Sequence, residues 1–196
     1  YMLQLWPPAQ VVDAPRTAWR GLLVDTSRHF LSISTLERII VAMSMAKMEC
    51  LHWHIVDAQS FPVDTPSAPN MQRGSFGGQI YTIDDIKGIQ NYAIDRGVRI
   101  VYEFDGPGHT AAWGKGYPEI MAKCPEYAYN VNDFAMNPTI DGPYEVLNAI
   151  VKDIVTATNT KFFHLGGDEV VYGCWASDSS ITDYMKANNI DSIAAA

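Results

Sequence analysis

Four short apolar runs recur along the chain, and each one ends in polar residues. The runs are residues 21–25, 50–56, 98–104 and 161–165. Each is shorter than a typical helix and rich in Leu, Ile, Val or aromatic residues, which is typical of a buried strand in a parallel sheet. The chain is therefore predicted to contain four strands, with room for a helix after each.

The segment after the first run carries a helical pattern. Its apolar side chains recur three or four positions apart, at Leu36, Ile39, Ile40, Met43 and Ala46. Ser34 stands just before this segment and Glu37 follows three positions later, as in a capping box. We therefore predict a helix over residues 35–48 with Ser34 as its N-cap.

Three further helices are predicted after the later runs. Thr82 is the expected N-cap of a helix that extends through residue 96, and Gly97 is placed to end it. A proline opens the helix predicted over residues 143–158. The last helix is predicted over residues 177–189, so each strand is followed by a helix.

This alternation of strands and helices predicts an α/β fold with a parallel sheet. A doubly wound sheet and a (β/α)₈ TIM barrel both fit it, and the polar residues after the runs distinguish them. The polar clusters are Arg28-His29, Asp57, Asp105 to His109, and Asp168-Glu169. Site residues from the end of every successive strand are typical of the barrel. A doubly wound sheet concentrates its site at one switch point, and the sequence has no Gly-x-Gly-x-x-Gly loop.

The length of the chain limits how much of a barrel it can hold. A TIM barrel has eight strands and about 250 residues, so these 196 residues are predicted to contain only the first four β/α units. We assign residues 1–19 to a lead-in segment from a preceding domain and residues 20–196 to the first half-barrel. Open sheet edges need a cover, so the expected partner is the remainder of the polypeptide or another chain, with a homodimer as one arrangement.

Composition excludes some functions. Hydrophobic residues make up 47% of the chain and charged residues 18%, which is typical of a globular protein. The formal net charge of −8 disfavours binding along a phosphate backbone, so no nucleic-acid partner is expected. The longest apolar stretch, residues 39–45, is too short to span a bilayer.

Two adjacent carboxylates, Asp168 and Glu169, follow the fourth run directly after Gly166 and Gly167. The glycines allow a sharp turn, and neighbouring side chains can share a site only where the strand has ended. Two carboxyl groups in one cleft can hold different protonation states, which is what acid-assisted bond cleavage requires. A solvated acidic turn is the alternative interpretation.

Histidines and a tryptophan near the strand ends allow more than one interpretation. His52 and His54 lie on one face of the second strand and could bind a metal if His109 and Asp168 converged on them. We expect no metal and no other cofactor. Trp113 follows the third strand and is interpreted either as a core residue or as a substrate-binding residue that stacks on a sugar ring.

The three cysteines leave the redox compartment open. Cys50 lies within the second apolar run and is expected to be a buried thiol. Cys124 and Cys174 each lie in loop-like sequence, so a disulfide between them is one possibility.

The strand ends resemble those of the family 20 glycoside hydrolases, the β-N-acetylhexosaminidases. The resemblance is carried by four motifs in order, at residues 20–30, 52–62, 103–109 and 164–170. These include His-Trp-His-Ile-Val-Asp, Glu-Phe-Asp-Gly-Pro-Gly-His and His-Leu-Gly-Gly-Asp-Glu-Val. The resemblance extends from about residue 12 to residue 189 and implies a TIM-barrel catalytic domain.

The resemblance implies a substrate-assisted mechanism, in which the acetamido oxygen of the sugar attacks its own anomeric carbon with net retention. Asp168 matches the residue that orients the acetamido group, and Glu169 matches the general acid. Arg28 resembles a clamp for sugar hydroxyls, and Asp57 and His109 resemble a supporting pair near the acid. The implied substrates are glycans or glycoconjugates that end in β-linked N-acetylglucosamine or N-acetylgalactosamine.

The resemblance also implies that Cys124 and Cys174 form a disulfide. A disulfide predicts a lysosomal, endolysosomal or secreted protein, because thiols stay reduced in the cytosol. A non-catalytic role, as a carbohydrate-binding or structural protein derived from the same family, is the alternative function. The presence of all five residues Arg28, Asp57, His109, Asp168 and Glu169 favours the enzyme.

Overall fold

Four parallel strands form one sheet. The computed structural model describes residue 10, residues 12–127 and residues 129–195, so most of the predicted lead-in segment lies outside the described part. The strands are β1 (Gly21–Asp25), β2 (Cys50–Val56), β3 (Arg99–Phe104) and β4 (Phe163–His164). They lie side by side in chain order and every pair is parallel. The predicted α/β class with a parallel sheet is confirmed.

Helices follow every strand. Within the described residues they are α1 (Ile33–Met45), α2 (Ile83–Ile94), α3 (Ala111–Gly116), α4 (Gly142–Thr158), α5 (Tyr172–Ser177) and α6 (Ser179–Ala187). Short 3₁₀ turns fill much of the connections after β2 and β3. No helix in this part of the chain combines the length and apolar character that crossing a membrane requires.

The start of α1 differs from the prediction. Its N-cap is Ser32, whose side chain accepts a hydrogen bond from the backbone N–H of Thr35. Ser34 therefore lies inside the helix, and the predicted capping box with Glu37 is wrong. Several hydroxyl residues stand in a row here, and the backbone conformation, extended at Ser32, decides which one caps.

The boundaries of α2 and α4 agree closely with the prediction. Thr82 caps α2 and exchanges hydrogen bonds with Asp85 in a complete capping box. Gly97 follows the helix with φ of +72°, a left-handed conformation that glycine adopts without strain. α4 begins at Gly142 with a proline in its first turn. These ends are encoded by short-range hydrogen bonds and backbone preferences.

The last predicted helix is present as α6, which begins at Ser179 and ends at Ala187, two residues inside the predicted bounds at each end. The short helix α5 before it was not predicted. Asp178 lies between α5 and α6 with an extended backbone, and its side chain accepts from the N–H of Ser180. Because Asp178 caps α6, this helix cannot begin at residue 177, which is the last residue of α5.

One face of the sheet is apolar and packs against the helices. The strand register aligns one residue from each strand, Val24, Trp53, Tyr102 and Phe163, and we call this set the apolar row. Its three neighbouring rings contact one another along the row in tilted pairs, with centroids 5.8 Å and 6.2 Å apart. The Tyr102 hydroxyl donates to Gln90 of α2, which fixes this face against the helix layer. The row belongs to a core cluster that includes buried side chains of α1, α2 and α4.

A smaller core surrounds the predicted disulfide. Cys124 and Cys174 are bonded, with their Cα atoms 5.1 Å apart, and the prediction is confirmed. Ala122, Ala135 and Trp175 pack around the bond. The bridge joins segments 50 residues apart in sequence, a loop whose closure stabilises a fold by about 4 kcal/mol in the chain-entropy model. Cys50 is a buried free thiol, as predicted.

Candidate active site

The opposite face of the sheet carries a polar row. Asp25, His54, Glu103 and His164 are aligned by the same register, again one from each strand. They line a cleft of about 430 Å³ at the carboxyl ends of the strands. Five predicted site residues line the same cleft, namely Arg28, Asp57, His109, Asp168 and Glu169. The fold therefore brings together residues that are up to 141 positions apart in the sequence, from Arg28 to Glu169.

Asp57 is completely buried and holds the inner side of the cleft. Its Oδ2 accepts hydrogen bonds from His54 Nε2 at 2.7 Å and from Arg28 Nη2 at 2.9 Å. Arg28 also donates to Asp25 at 2.9 Å, and its side chain remains 40% exposed. The guanidinium is thus fixed by two carboxylates while part of it faces the cleft, which suits it to bind a hydroxyl group of a ligand.

His109 connects a buried carboxylate to Glu169. Its Nδ1 lies 2.7 Å from Oδ2 of the fully buried Asp105, and its Nε2 lies 3.3 Å from Oε2 of Glu169. The hydrogen bond to Asp105 raises the pKa of His109, and burial only partly opposes this. The resemblance grouped His109 with Asp57, but the nearest oxygen of Asp57 is 3.9 Å away. The direct partner of His109 is Asp105, which the sequence places in the same polar cluster but to which it assigns no role.

Asp105 also shapes the turn that carries the two carboxylates. Its Oδ1 accepts from the N–H of Gly167 at 2.9 Å. Gly166 has φ of +64°, and a Cβ added there would lie 1.7 Å from the same oxygen. Only glycine fits between β4 and the carboxylate, so the glycine pair is required by close contact as well as by turn conformation.

His109 and Glu169 share an unusual backbone conformation. Five described residues other than glycine have positive φ, and three of them follow helices. The other two are His109 at +54° and Glu169 at +52°, which contact each other. Non-glycine residues in this region carry strain and concentrate at functional sites. The backbone therefore points to the same pair that the side-chain contacts indicate.

Asp168 and Glu169 themselves are exposed in the described part of the molecule. The side chain of Glu169 is 79% exposed, although it borders the cleft and touches His109. A solvated acidic turn, the alternative interpretation, therefore accounts for the exposure of these side chains but not for their position beside the cleft and His109.

The sequence did not single out Glu103. It is 4% exposed and lies within contact of His52, His54 and His164. Burial would raise the pKa of Glu103, but hydrogen bonds from histidines outweigh it and lower that pKa to about 2. Burial likewise opposes the charge of His54, and its bonds to Asp57 and Glu103 raise its pKa to about 10. The alternating histidines of β2 are the signal in the sequence, but as candidate metal ligands they do not point to Glu103.

Three groups of side chains in the cleft could approach a cation. They are His52, Glu103 and His164; Asp57, Asp105 and His109; and Glu103, Asp105 and Asp168, each with ligand atoms within 4.8 Å of one another. Most of these atoms already form hydrogen bonds or ion pairs within the protein. The geometry is therefore explained without a metal, and we assign none of these residues as a ligand.

Trp113 is not a sugar-stacking residue in this structure. It lies in α3 with 1% exposure, and its ring meets Phe61 edge to face at 5.1 Å. A buried ring has no face to offer a ligand, so its assignment as a substrate-binding residue is wrong and the core interpretation holds.

Residues 18–196 match the model of glycosyl hydrolase family 20, catalytic domain. The chain is 40% identical over 179 residues to the subunit beta of beta-hexosaminidase from Homo sapiens, covering 90% of this chain and 32% of that protein. It is 39% identical over 176 residues to beta-hexosaminidase subunit A1 from Dictyostelium discoideum, covering 89% and 33%. The chain thus spans about a third of the length of these relatives.

Solved structures give the same result for the fold. The chitobiase of Flavobacterium johnsoniae matches with a TM-score of 0.82 and 31% identity, over 91% of this chain and 28% of that one. A family 20 exo beta-N-acetylglucosaminidase from Vibrio harveyi, in complex with N-acetylglucosamine, matches with a TM-score of 0.84 and 25% identity, over 93% and 32%. The chain belongs to glycosyl hydrolase family 20.

Proposed function

We propose that the whole protein is an exo-acting, retaining β-N-acetylhexosaminidase, which removes terminal N-acetylglucosamine or N-acetylgalactosamine from glycans. The observation that carries this proposal is the contact of Glu169 with His109, whose other nitrogen is bonded to buried Asp105. A carboxyl group beside an oriented histidine at a strand end is suited to general acid–base catalysis. The names of the relatives support the substrate class.

In the proposed mechanism the nucleophile belongs to the substrate. Asp168 orients the acetamido group, whose oxygen attacks the anomeric carbon and forms an oxazolinium-type intermediate. Glu169 protonates the departing glycosidic oxygen and then, as a carboxylate, takes a proton from the incoming water. His109 holds Glu169 in place. Arg28 binds a hydroxyl group of the terminal sugar, which favours exo action.

The remainder of the protein has defined tasks in this proposal. Four further β/α units would complete the barrel, pair the open edges of β1 and β4, and enclose the now exposed Glu169. Activity would require this second half. Pairing with another copy is the alternative cover for the edges. The disulfide supports residence in an oxidising compartment, lysosomal, endolysosomal or secreted.

The test is leaving-group dependence in the full-length protein. Replacing Glu169 with Gln should reduce kcat/KM by about 10²–10⁴-fold for a natural glycan and much less for an activated aryl glycoside, because only the poor leaving group needs a proton. Asp168→Asn should slow both substrates, since its charge stabilises the intermediate whatever departs.

Equal losses for both substrates in Glu169→Gln would show that Glu169 is not the acid. If the wild-type protein bound N-acetylhexosamines but cleaved neither substrate between about pH 4 and 7, where a carboxylic acid catalyst should act, the non-catalytic function would replace the proposal.

A further inference from the structure

Glu103 is a buried carboxylate of the cleft to which the proposed reaction gives no role. It projects from β3 at the centre of the polar row and is 4% exposed. His54 Nδ1 lies 3.0 Å from its Oε2, and His164 Nδ1 lies 3.2 Å from its Oε1. Burying a carboxylate is costly unless it is paired. Three histidines surround Glu103, and this investment in one buried charge calls for a functional explanation.

A continuous chain of contacts leads from Glu103 to the candidate sugar clamp. His54 bridges two carboxylates, with Nδ1 on Glu103 and Nε2 at 2.7 Å from Asp57 Oδ2. The same oxygen of Asp57 accepts from Arg28 Nη2 at 2.9 Å. His54 is 7% exposed and Asp57 is fully buried, so water reaches this series of hydrogen-bonded side chains mainly at Arg28.

We propose that Glu103 and His54 are positioning residues, which fix the carboxylate of Asp57 and through it the guanidinium of Arg28. The inference rests on the proposed function, in which Arg28 binds the sugar. With both ring nitrogens engaged, the imidazole cannot rotate without losing a bond at each end. Without His54, Asp57 Oδ2 would keep Arg28 as a partner but lose the bond that holds it away from His109, whose Nδ1 is only 3.9 Å away.

Charge supports this arrangement. Three groups face His54: Glu103 from β3, Asp57 after β2, and Arg28 after β1, whose Nη1 is 3.3 Å from Nε2. The two carboxylates outweigh the effect of burial and raise the pKa of His54 to about 10. Both nitrogens therefore carry protons at neutral and acidic pH, and both can donate at once.

A matched pair of variants at His54 in the full-length enzyme tests whether His54 acts on the site through its bond to Asp57. The amide nitrogen of glutamine can replace Nε2 and keep the bond to Asp57, whereas that of asparagine can replace Nδ1 and keep the bond to Glu103. His54→Asn should lower kcat/KM by about 10–100-fold, mainly through a raised KM, because a displaced clamp holds the sugar poorly. His54→Gln should retain clearly more activity. Equal losses in the two variants would overturn the inference.

A double-mutant cycle tests whether Glu103 acts through Asp57. Glu103→Gln should lower kcat/KM alone, but added to Asp57→Asn it should change kcat/KM by no more than about twofold, because the link is already broken. If the double variant lost kcat/KM by the product of the two single losses, Glu103 would act independently of Asp57, and the inference would be contradicted. Glu145→Gln, an exposed carboxylate on α4, is the control and should match the wild type. If Glu103→Gln does not fold, the His54 pair decides.

Failure of the inference and failure of the proposed function are separable. A wild-type enzyme that hydrolyses N-acetylhexosaminides while Glu103→Gln behaves like Glu145→Gln refutes only the positioning role. A wild-type protein without this activity refutes the proposed function.

Discussion

The two faces of the sheet use one register for opposite purposes. The apolar row, Val24, Trp53, Tyr102 and Phe163, immediately precedes the polar row, Asp25, His54, Glu103 and His164, on every strand. The apolar row packs without net charge against the helices, and its stabilisation comes from burial and ring contacts.

The two central residues of the polar row, His54 and Glu103, are also buried, but each carries a charge that needs a partner. His54 and Glu103 are both under 10% exposed and bond to each other. Pairs of this kind give little net stability, because desolvation offsets their attraction. The comparison indicates that the apolar row maintains the fold and thereby holds the polar row in position for chemistry.

The largest expected effect comes from breaking the apolar row. Trp53→Ala should lower the free energy of unfolding by about 3–5 kcal/mol, because the fully buried ring packs on Tyr81 and Tyr102 and donates to Thr26. Thermal unfolding of the full-length protein, followed by circular dichroism, measures this loss. Trp19→Ala is the control, since that ring is 64% exposed. Similar losses in the two variants would contradict the assignment of Trp53 to the core.

The contribution of the polar row should depend on pH, whereas that of the apolar row should not. The pKa of Glu103 is lowered to about 2 in the folded state from an ordinary value of 4.5. A lowered carboxyl pKa gives stability that is present above 4.5 and is lost as pH falls through 2.

The measurement is the difference in Tm between wild type and Glu103→Gln. It should correspond to about 1–3 kcal/mol near neutral pH, because the variant leaves buried donors with a weaker acceptor, and it should shrink as the pH approaches 2. The difference between wild type and Trp53→Ala should stay constant over the same range. A Glu103→Gln difference that did not change with pH would show that the carboxylate charge contributes nothing to stability.

The smallest expected effect comes from one polar atom of the apolar row. Tyr102→Phe removes the buried hydroxyl that donates to Gln90 at 3.0 Å and should cost about 1 kcal/mol. Because this hydroxyl points toward α2 and away from the cleft, kcat/KM should match the wild type. An altered kcat/KM would show that the two faces are coupled more tightly than their separation suggests.

The strands and the ends of α2 and α4 could be predicted because their signals are local. The apolar runs gave β1 and β2 to the residue, and the Thr82 box and Gly97 gave the ends of α2. β4 is shorter than its apolar run, since only Phe163 and His164 pair with β3. The start of α6 was predicted two residues too early, because apolar periodicity does not show that Asp178 caps the helix.

The sequence by itself determined the family and the five predicted cleft residues, and it showed which strand each of these residues follows. This was possible because each of the five lies in a motif at the end of its own strand. Only the tertiary structure decided which of them touch. Asp105 is the partner of His109, Glu103 contacts the site residue Asp57 only through His54, and Trp113 is buried. Such contacts depend on strand register and on the space left by distant side chains, and neither is encoded in any short stretch of sequence.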